Sequence, residues 1–172
     1  FGLILLSYMI IYIPKFNYIK ARIFSFFDKE TGTHNFQSDK AIESITSGGF
    51  FGKGIGEGTL KNRVPEAHTD YIISVISEEF GVIAIILILI LFLVLIYMVF
   101  KKISFETEEQ NKLILIGSVS LILMQATIHI GVNIRLFPTT GMTLPFLSYG
   151  GSSIVSTSIL TGIILNLTKR KI

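Results

Sequence analysis

The residues best suited to carry out chemistry stand in front of the longest apolar run of the chain. Asp70 comes just before this run, and Glu78 follows about two helical turns later. A helix here would place five small or polar side chains on one stripe, at offsets 0, 4, 7, 8 and 11: Asp70, Ser74, Ser77, Glu78 and Gly81. A carboxylate at membrane depth is costly unless it faces a cavity or a partner, so this stripe is a candidate functional site.

A purely structural role is the alternative for the same residues. Thr69 or Asp70 would serve equally well as the N-cap of the following helix. His68 would then be an ordinary loop residue, and Glu78 would be a charge at the membrane interface. The residue types alone leave both interpretations open.

A cluster of glycines lies between residues 48 and 58. Its Gly52-Lys53-Gly54 step resembles a phosphate-binding loop. The Walker pattern fails, however, because Ser47 and Gly54 stand where Gly and Ser or Thr are required. The sequence predicts no strand before the cluster, which argues against a dinucleotide-binding fingerprint. Tight turns at a membrane surface are the favoured interpretation.

A second polar face follows along the next apolar run. Ser118, Gln125 and His129 recur at offsets 0, 7 and 11, which places them on one side of a helix. Polar residues on such a face more often hydrogen-bond to a neighbouring helix than carry out chemistry. Residues 148–162 are rich in Ser, Thr and Gly, which favours close contact between helices.

The elements that must position these residues are membrane-spanning helices. Only 16% of the residues are charged and mean hydropathy is +0.65, with apolar runs of the ~20 residues that cross a bilayer. The predicted spans are residues 71–100, 113–132 and 143–167, and residues 1–13 are expected to be the end of a helix whose beginning is missing. Residues 14–69 form a long polar loop with an amphipathic piece near residues 37–46. The predicted fold is therefore an all-α, polytopic membrane protein with about three complete transmembrane helices and one partial helix.

Composition excludes some chemistry and leaves the orientation open. The chain has no cysteine, so disulfides, thiolate nucleophiles and cysteine metal sites are excluded. A net charge of +3 on so apolar a chain favours anionic lipid headgroups or phosphates over nucleic acid as partners. Lysines and arginines occur on both sides of the predicted spans, so charge does not decide which side faces the cytoplasm.

Three stretches of the chain carry recognisable patterns: FQSDKAIESITSGGFFGKGIGEG (36–58), RVPEAHTDYIISVISEEFGVI (63–83) and LFPTTGMTLPFLSYGGSS (136–153). In this order and at this spacing they closely resemble the SEDS family, which comprises FtsW, RodA and SpoVE. Members of that family polymerise peptidoglycan glycan strands from lipid II. Ala67 and the Thr143-Leu144-Pro145 step favour the FtsW branch, which acts in cell division.

The resemblance implies a position within a larger fold. The family has ten transmembrane helices, and residues 1–172 resemble the C-terminal part of its single membrane domain, from the end of helix seven to helix ten. The long loop would face outward from the bacterial inner (cytoplasmic) membrane, and the C-terminus would face the cytoplasm. The implied partners are lipid II, a class B penicillin-binding protein that acts as transpeptidase, and other division proteins. No nucleic acid is expected.

The resemblance also implies roles for individual residues. Asp70 matches the family's essential aspartate, and Glu66, His68 and Thr69 match the motif around it. As a general base, Asp70 would take the proton from the acceptor sugar's 4-hydroxyl as this attacks C1 of the donor. The pyrophosphate that leaves needs positive charge, and we predict that loop cations bind it, chosen by charge and closeness in sequence: Lys53, Lys61 and Arg63. A divalent cation, Mg²⁺ or Mn²⁺, is the alternative source of that charge.

Two other functions stay open beside glycan polymerisation. A lipid II flippase or transporter would use Asp70 and His129 as a relay, although the polar stripe ends near Gly81. A division scaffold would only recruit the transpeptidase. We also expect this part of the chain to be inactive by itself.

Overall fold

The computed structural model describes residues 33–64 and 67–169, without the side chains of residues 33–35 and 61. The predicted helix end at residues 1–13 lies outside this part of the chain. The described residues form five helices: α1 (Thr33–Gly48), α2 (Leu60–Arg63), α3 (Ile72–Phe105), α4 (Glu109–Asn133) and α5 (Gly151–Thr168). Of these, α3, α4 and α5 are long and apolar enough to cross a membrane. The predicted all-α membrane fold with three complete spans is confirmed.

The bounds of the spans differ from the predicted ones. The last helix begins at Gly151, whereas the sequence predicted a start at residue 143. Residues 144–148 form a turn instead, in which Leu144 N donates to Ser148 Oγ at 2.8 Å and Ser148 N donates to Leu144 O at 3.1 Å. Pro145 has no N–H for a helical bond and favours such a turn. The middle span, α4, extends past both ends of the predicted residues 113–132.

Helix α1 lies against the first turns of α3 and fixes their position. Ala41 on its inner side is fully buried. Around it gathers a cluster of buried side chains from α1, α2, α3, α4 and the connection before α3: Ala41, Leu60, Val64, Ala67, Tyr71, Val75 and Val132. Two polar contacts add to this packing in the first half of α1. Ser38 Oγ lies 3.4 Å from Tyr71 Oη, and Asp39 pairs with Arg135. The predicted amphipathic piece is thus a full helix that supports the segment carrying Asp70.

The long helix α3 is broken at Gly81, where the sequence predicted a continuous helix. Gly81 has φ 78° and ψ −179°, a backbone conformation open to glycine and strained for other residues. Residues 49–54 of the glycine cluster run alongside the break and hydrogen-bond to the backbone on both sides of it. A Cβ atom on Gly81 would lie 2.6 Å from Gly52 N, so the loop and α3 approach each other too closely for any side chain at position 81.

Beyond the break, α3 joins α4 and α5 in a second apolar cluster, formed by Val99, Leu115, Val119, Ile122 and Ile164. This cluster covers only a small part of the helix surfaces. In the most apolar window of α3 only 6% of the residues are buried within the described structure. An apolar helix surface left this open suits contact with lipid or with further helices.

Candidate functional site

Asp70 lies in a turn directly before α3, at the edge of the membrane-spanning bundle. Its side chain is half-buried. Its Oδ2 atom is 3.9 Å from the position that a Cβ on Gly141 would take, so the carboxylate faces the connection between α4 and α5. The N-cap of α3 is Tyr71, whose side chain makes no capping bond. The structural alternative, in which Thr69 or Asp70 is the N-cap, is therefore wrong by one or two positions.

Two distant segments hold the backbone around Asp70 by its carbonyl groups. Tyr149 N donates to His68 O at 3.1 Å, and Ser148 Oγ donates to Thr69 O at 2.8 Å. From α4, His129 Nε2 donates to Thr69 O at 3.3 Å and Asn133 Nδ2 donates to Asp70 O at 3.0 Å. Three successive carbonyls are thereby fixed, which holds in place the backbone that carries the Asp70 side chain.

Asn133 is the centre of this arrangement, and sequence reasoning missed it. It is fully buried. Its Oδ1 accepts from Ser74 Oγ at 2.7 Å and from Ser74 N at 3.2 Å, while Nδ2 also donates to His129 O at 2.9 Å. One amide thus joins the first turn of α3 to the last turn of α4. The signal was present, because Asn133 stands four residues after His129 and continues the same polar face.

Glu78, the second carboxylate of the predicted stripe, is buried and fully engaged. Its Oε1 accepts from Lys53 Nζ at 3.0 Å and from Thr59 Oγ1 at 3.1 Å, and its Oε2 accepts from Leu60 N at 3.0 Å. Ser74, Ser77 and Glu78 are all buried, as the stripe predicted. Their partners differ, because Ser74 bonds to α4 whereas Glu78 bonds to the glycine loop and α2.

Two of the predicted loop cations, Lys53 and Arg63, lie near Glu78. Lys53 and Arg63 line a polar cavity of about 200 Å³, together with Lys40, Glu43, Ser44, Ser47, Thr59, Leu60 and Glu78. Glu43 at its rim accepts a hydrogen bond from Lys40, which lowers the pKa of that carboxyl.

The remaining predicted site residues lie in different situations. His68 is exposed, and Thr69 is half-buried beside Asp70. Glu66 and the side chain of Lys61 lie outside the described residues. Across residues 33–64 and 67–169, no three His, Cys, Asp or Glu side chains gather into a metal-binding group. Among these residues Asp70 is a single carboxylate, and a divalent ion held there would need further ligands from elsewhere, such as the phosphates of a substrate.

Comparison with known proteins identifies the family. The family model described as "Cell cycle protein" (FTSW_RODA_SPOVE) matches residues 1–172, the whole chain. The chain belongs to the FtsW/RodA/SpoVE family. The resemblance carried by the three sequence stretches is confirmed.

Curated relatives and a solved structure agree with this assignment. The chain is 36% identical to the probable peptidoglycan glycosyltransferase FtsW of Enterococcus hirae, over 99% of this chain and 46% of the relative. It is 38% identical to the protein of the same name from Caulobacter vibrioides, over 91% of this chain and 40% of the relative. Stage V sporulation protein E of Bacillus subtilis is 37% identical over 78% of this chain.

The solved structure comes from work on the structural coordination of polymerization and crosslinking by a peptidoglycan synthase complex. It superposes with a TM-score of 0.74 at 25% identity, over 97% of this chain and 47% of the matched chain. The chain spans less than half the length of these proteins. The fold of this half is therefore the family's fold.

Proposed function

We propose that this chain is the C-terminal half of a peptidoglycan glycosyltransferase that polymerises lipid II into glycan strands during cell division. The names of the relatives support the activity, and the greater number of FtsW relatives among those described above supports the division branch. The observation that carries the proposal is the rigid placement of Asp70. Side chains of α4, with the Ser148 hydroxyl and the Tyr149 backbone N–H from the connection before α5, hold three successive carbonyls around it.

Asp70 acts as the general base in this proposal. Its carboxylate accepts the proton of the acceptor sugar's 4-hydroxyl while that oxygen forms a bond to C1 of the donor. The bond between C1 and the lipid pyrophosphate breaks, and the pyrophosphate departs with the bonding electron pair. General base catalysis of this kind contributes a factor on the order of 10²–10⁴ to the rate. A backbone fixed on both sides keeps the carboxylate at the reacting hydroxyl.

The departing pyrophosphate needs positive charge more than it needs a proton. We assign this role to Arg63, which is exposed at the rim of the polar cavity, and to Lys61 beside it in sequence. Lys53 belongs to the same predicted set, but its ammonium is paired with buried Glu78. Glu66, His68 and Thr69 complete the proposed substrate site around Asp70. A divalent ion, when bound by Asp70 and the substrate phosphates, would supply charge at the same point.

The same assignment implies the membrane location, the orientation and the partner of the protein. The three spans and the family make this a multi-pass membrane protein. In the proposed orientation Asp70 and the glycine loop face the outer side of the bacterial inner membrane, and the C-terminus faces the cytoplasm. The matched solved structure concerns polymerization and crosslinking in one complex, which supports a class B penicillin-binding protein as partner.

The decisive experiment replaces Asp70 in the full-length protein. Asp70→Asn preserves shape and removes the basic carboxylate, so we expect insertion into the membrane with loss of polymerisation of purified lipid II. Glu57→Gln is the matched control, because Glu57 is an exposed carboxylate on the preceding loop. Near-normal strand synthesis by Asp70→Asn would contradict the general base assignment.

Two further measurements test the rival functions. If wild-type protein moves labelled lipid II across vesicle membranes and makes no polymer, it is a flippase. If cells that carry only Asp70→Ala divide normally, the protein is a scaffold.

A further inference from the structure

The break at Gly81 is repaired by the backbone of the glycine loop. A regular helix would pair Val82 N with Glu78 O and Ile83 N with Glu79 O. Instead, Lys53 N donates to Glu78 O at 2.8 Å and Gly54 N donates to Glu79 O at 3.1 Å. On the other side of the break, Val82 N donates to Gly49 O at 3.0 Å and Ile83 N lies 3.5 Å from Phe50 O. The loop thus supplies a partner for each of these four backbone groups of α3.

These bonds set the depth of the loop tip relative to the membrane. The charge-free run of α3 covers residues 80–100, and 21 residues rise ~30 Å, the thickness of the hydrocarbon core. Residues 82 and 83 therefore lie inside its boundary, and Gly49 and Phe50 lie beside them. Non-helical backbone is tolerated at this depth only where its hydrogen bonds are satisfied. The backbone hydrogen bonds between the loop and α3 at the Gly81 break meet that condition.

The side chains of the loop tip are large, apolar and uncovered by any described residue. Phe50 is 74% exposed, Phe51 84% and Ile55 81%. On α3, Phe80 and Ile83 are 45% and 49% exposed at the same level, which makes the apolar surface continuous from the loop to the helix. Charged residues flank Ile55 on the same loop, and one of them, Lys53, pairs with Glu78 on the side of the Gly81 break away from the charge-free run. An apolar tip with charges behind it matches the profile of a membrane interface.

We propose that Phe50, Phe51 and Ile55 insert into the outer boundary of the lipid bilayer and anchor the glycine loop there. The occupant of this surface is the acyl-chain region of ordinary membrane lipid. Because α1 leads directly into this loop and lies against the start of α3, the anchor fixes the segment around Asp70 at a constant depth. The proposal stands on the break in α3 and on exposure, and it does not depend on the proposed enzyme activity.

Spin labelling of the full-length protein tests the anchor. Phe51→Cys, in a cysteine-free background, carries a nitroxide in nanodiscs of phosphatidylethanolamine and phosphatidylglycerol. Its collision rates are measured with oxygen, which concentrates in lipid, and with a nickel chelate, which stays in water. Glu57→Cys on the same loop is the matched control. We expect Phe51 to collide mainly with oxygen and Glu57 mainly with the nickel chelate.

Two results would overturn the proposal. A label at position 51 that collides mainly with the nickel chelate would place the tip in water. A label that collides weakly with both would show that protein covers it, either the rest of this molecule or a partner. Ile55→Cys provides a second labelled site, and a single symmetric peak in size-exclusion chromatography shows that each labelled protein is folded.

Discussion

The amide group of Asn133 links the segment around Asp70 and the first turn of α3 to the end of α4. Replacing Asn133 by Ala removes the partner of the buried Ser74 hydroxyl and one hydrogen bond to the part-buried Asp70 carbonyl. Each buried group left unsatisfied costs about 1–3 kcal/mol, so we expect a clear fall in thermal stability in detergent. Polymerisation should fall further than stability explains, because Asp70 loses its fixed position. Asn111→Ala, at the exposed start of α4, is the matched control and should be nearly silent.

The role of Lys53 can be separated from that of the other cations by a double variant. Lys53→Met leaves the buried Glu78 carboxylate without its counter-charge, so we expect a loss of about 1–3 kcal/mol in the free energy of unfolding. Adding Glu78→Gln removes the uncompensated charge and should restore much of that stability. Lys112→Met is the control, because Lys112 pairs with exposed Glu109 and such pairs contribute about 0–1 kcal/mol.

Lipid II polymerisation by the double variant decides whether Lys53 also acts on substrate. If the pair only supports the fold, activity returns with stability. If stability returns and polymerisation stays low, Lys53 contacts the leaving group, and the assignment of that role to Arg63 and Lys61 alone is wrong.

At the scale of elements, the glycine loop and α3 depend on each other through Gly81. Gly81→Ala would force a side chain into φ 78°, with its Cβ 2.6 Å from Gly52 N. The strain alone costs on the order of 1–3 kcal/mol, and the contact adds to it. We therefore expect a large fall in melting temperature and release of the loop, measured as faster amide hydrogen exchange at residues 49–54. Gly117→Ala is the matched control, because its Cβ would meet nothing within 4 Å.

That control should stabilise the protein slightly, since alanine favours a helix over glycine by up to ~1 kcal/mol. Equal behaviour of the two alanine variants would show that the break in α3 is not fixed by the loop. Slower amide hydrogen exchange at residues 49–54 in Gly81→Ala would contradict the hydrogen bonding between the loop and α3 at the break.

The helices were largely predictable from the sequence, and the contacts between distant segments were not. Apolar runs predicted three spans and polar spacing predicted the buried face of Ser74 and Glu78, because both patterns are local in sequence. The break at Gly81 depends on a segment about 30 residues away, and a single glycine in an apolar run gives no sign of it. Asn133 was missed because its partners, Asp70 and Ser74, are distant in the chain. The sequence motif singled out Asp70, and the structure shows what holds it.

At the scale of the whole molecule, this chain leaves most of its membrane surface open. The buried share of the most apolar window is 6% in α3, 33% in α4 and 11% in α5. The small residues expected to give close helix contacts in α5 are mostly exposed, and a Cβ on Gly162 would meet nothing within 4 Å. These open faces suit contact with lipid or with further helices, and the family relatives are more than twice as long as this chain.

This open surface predicts that the chain polymerises lipid II only together with the rest of the protein. Asp70 is held by α4 and the α4–α5 connection, so the chain alone can place the base. A disaccharide donor and acceptor also need walls on the open side, which residues 33–64 and 67–169 do not supply. We expect no polymer from the purified chain, and recovery of activity when the other half of the protein is co-expressed as a separate polypeptide. Asp70→Asn in the co-expressed pair is the control that ties recovered activity to this site. Polymer formation by the chain alone would show that the described half contains a complete active site, and the open faces would then be surfaces for lipid.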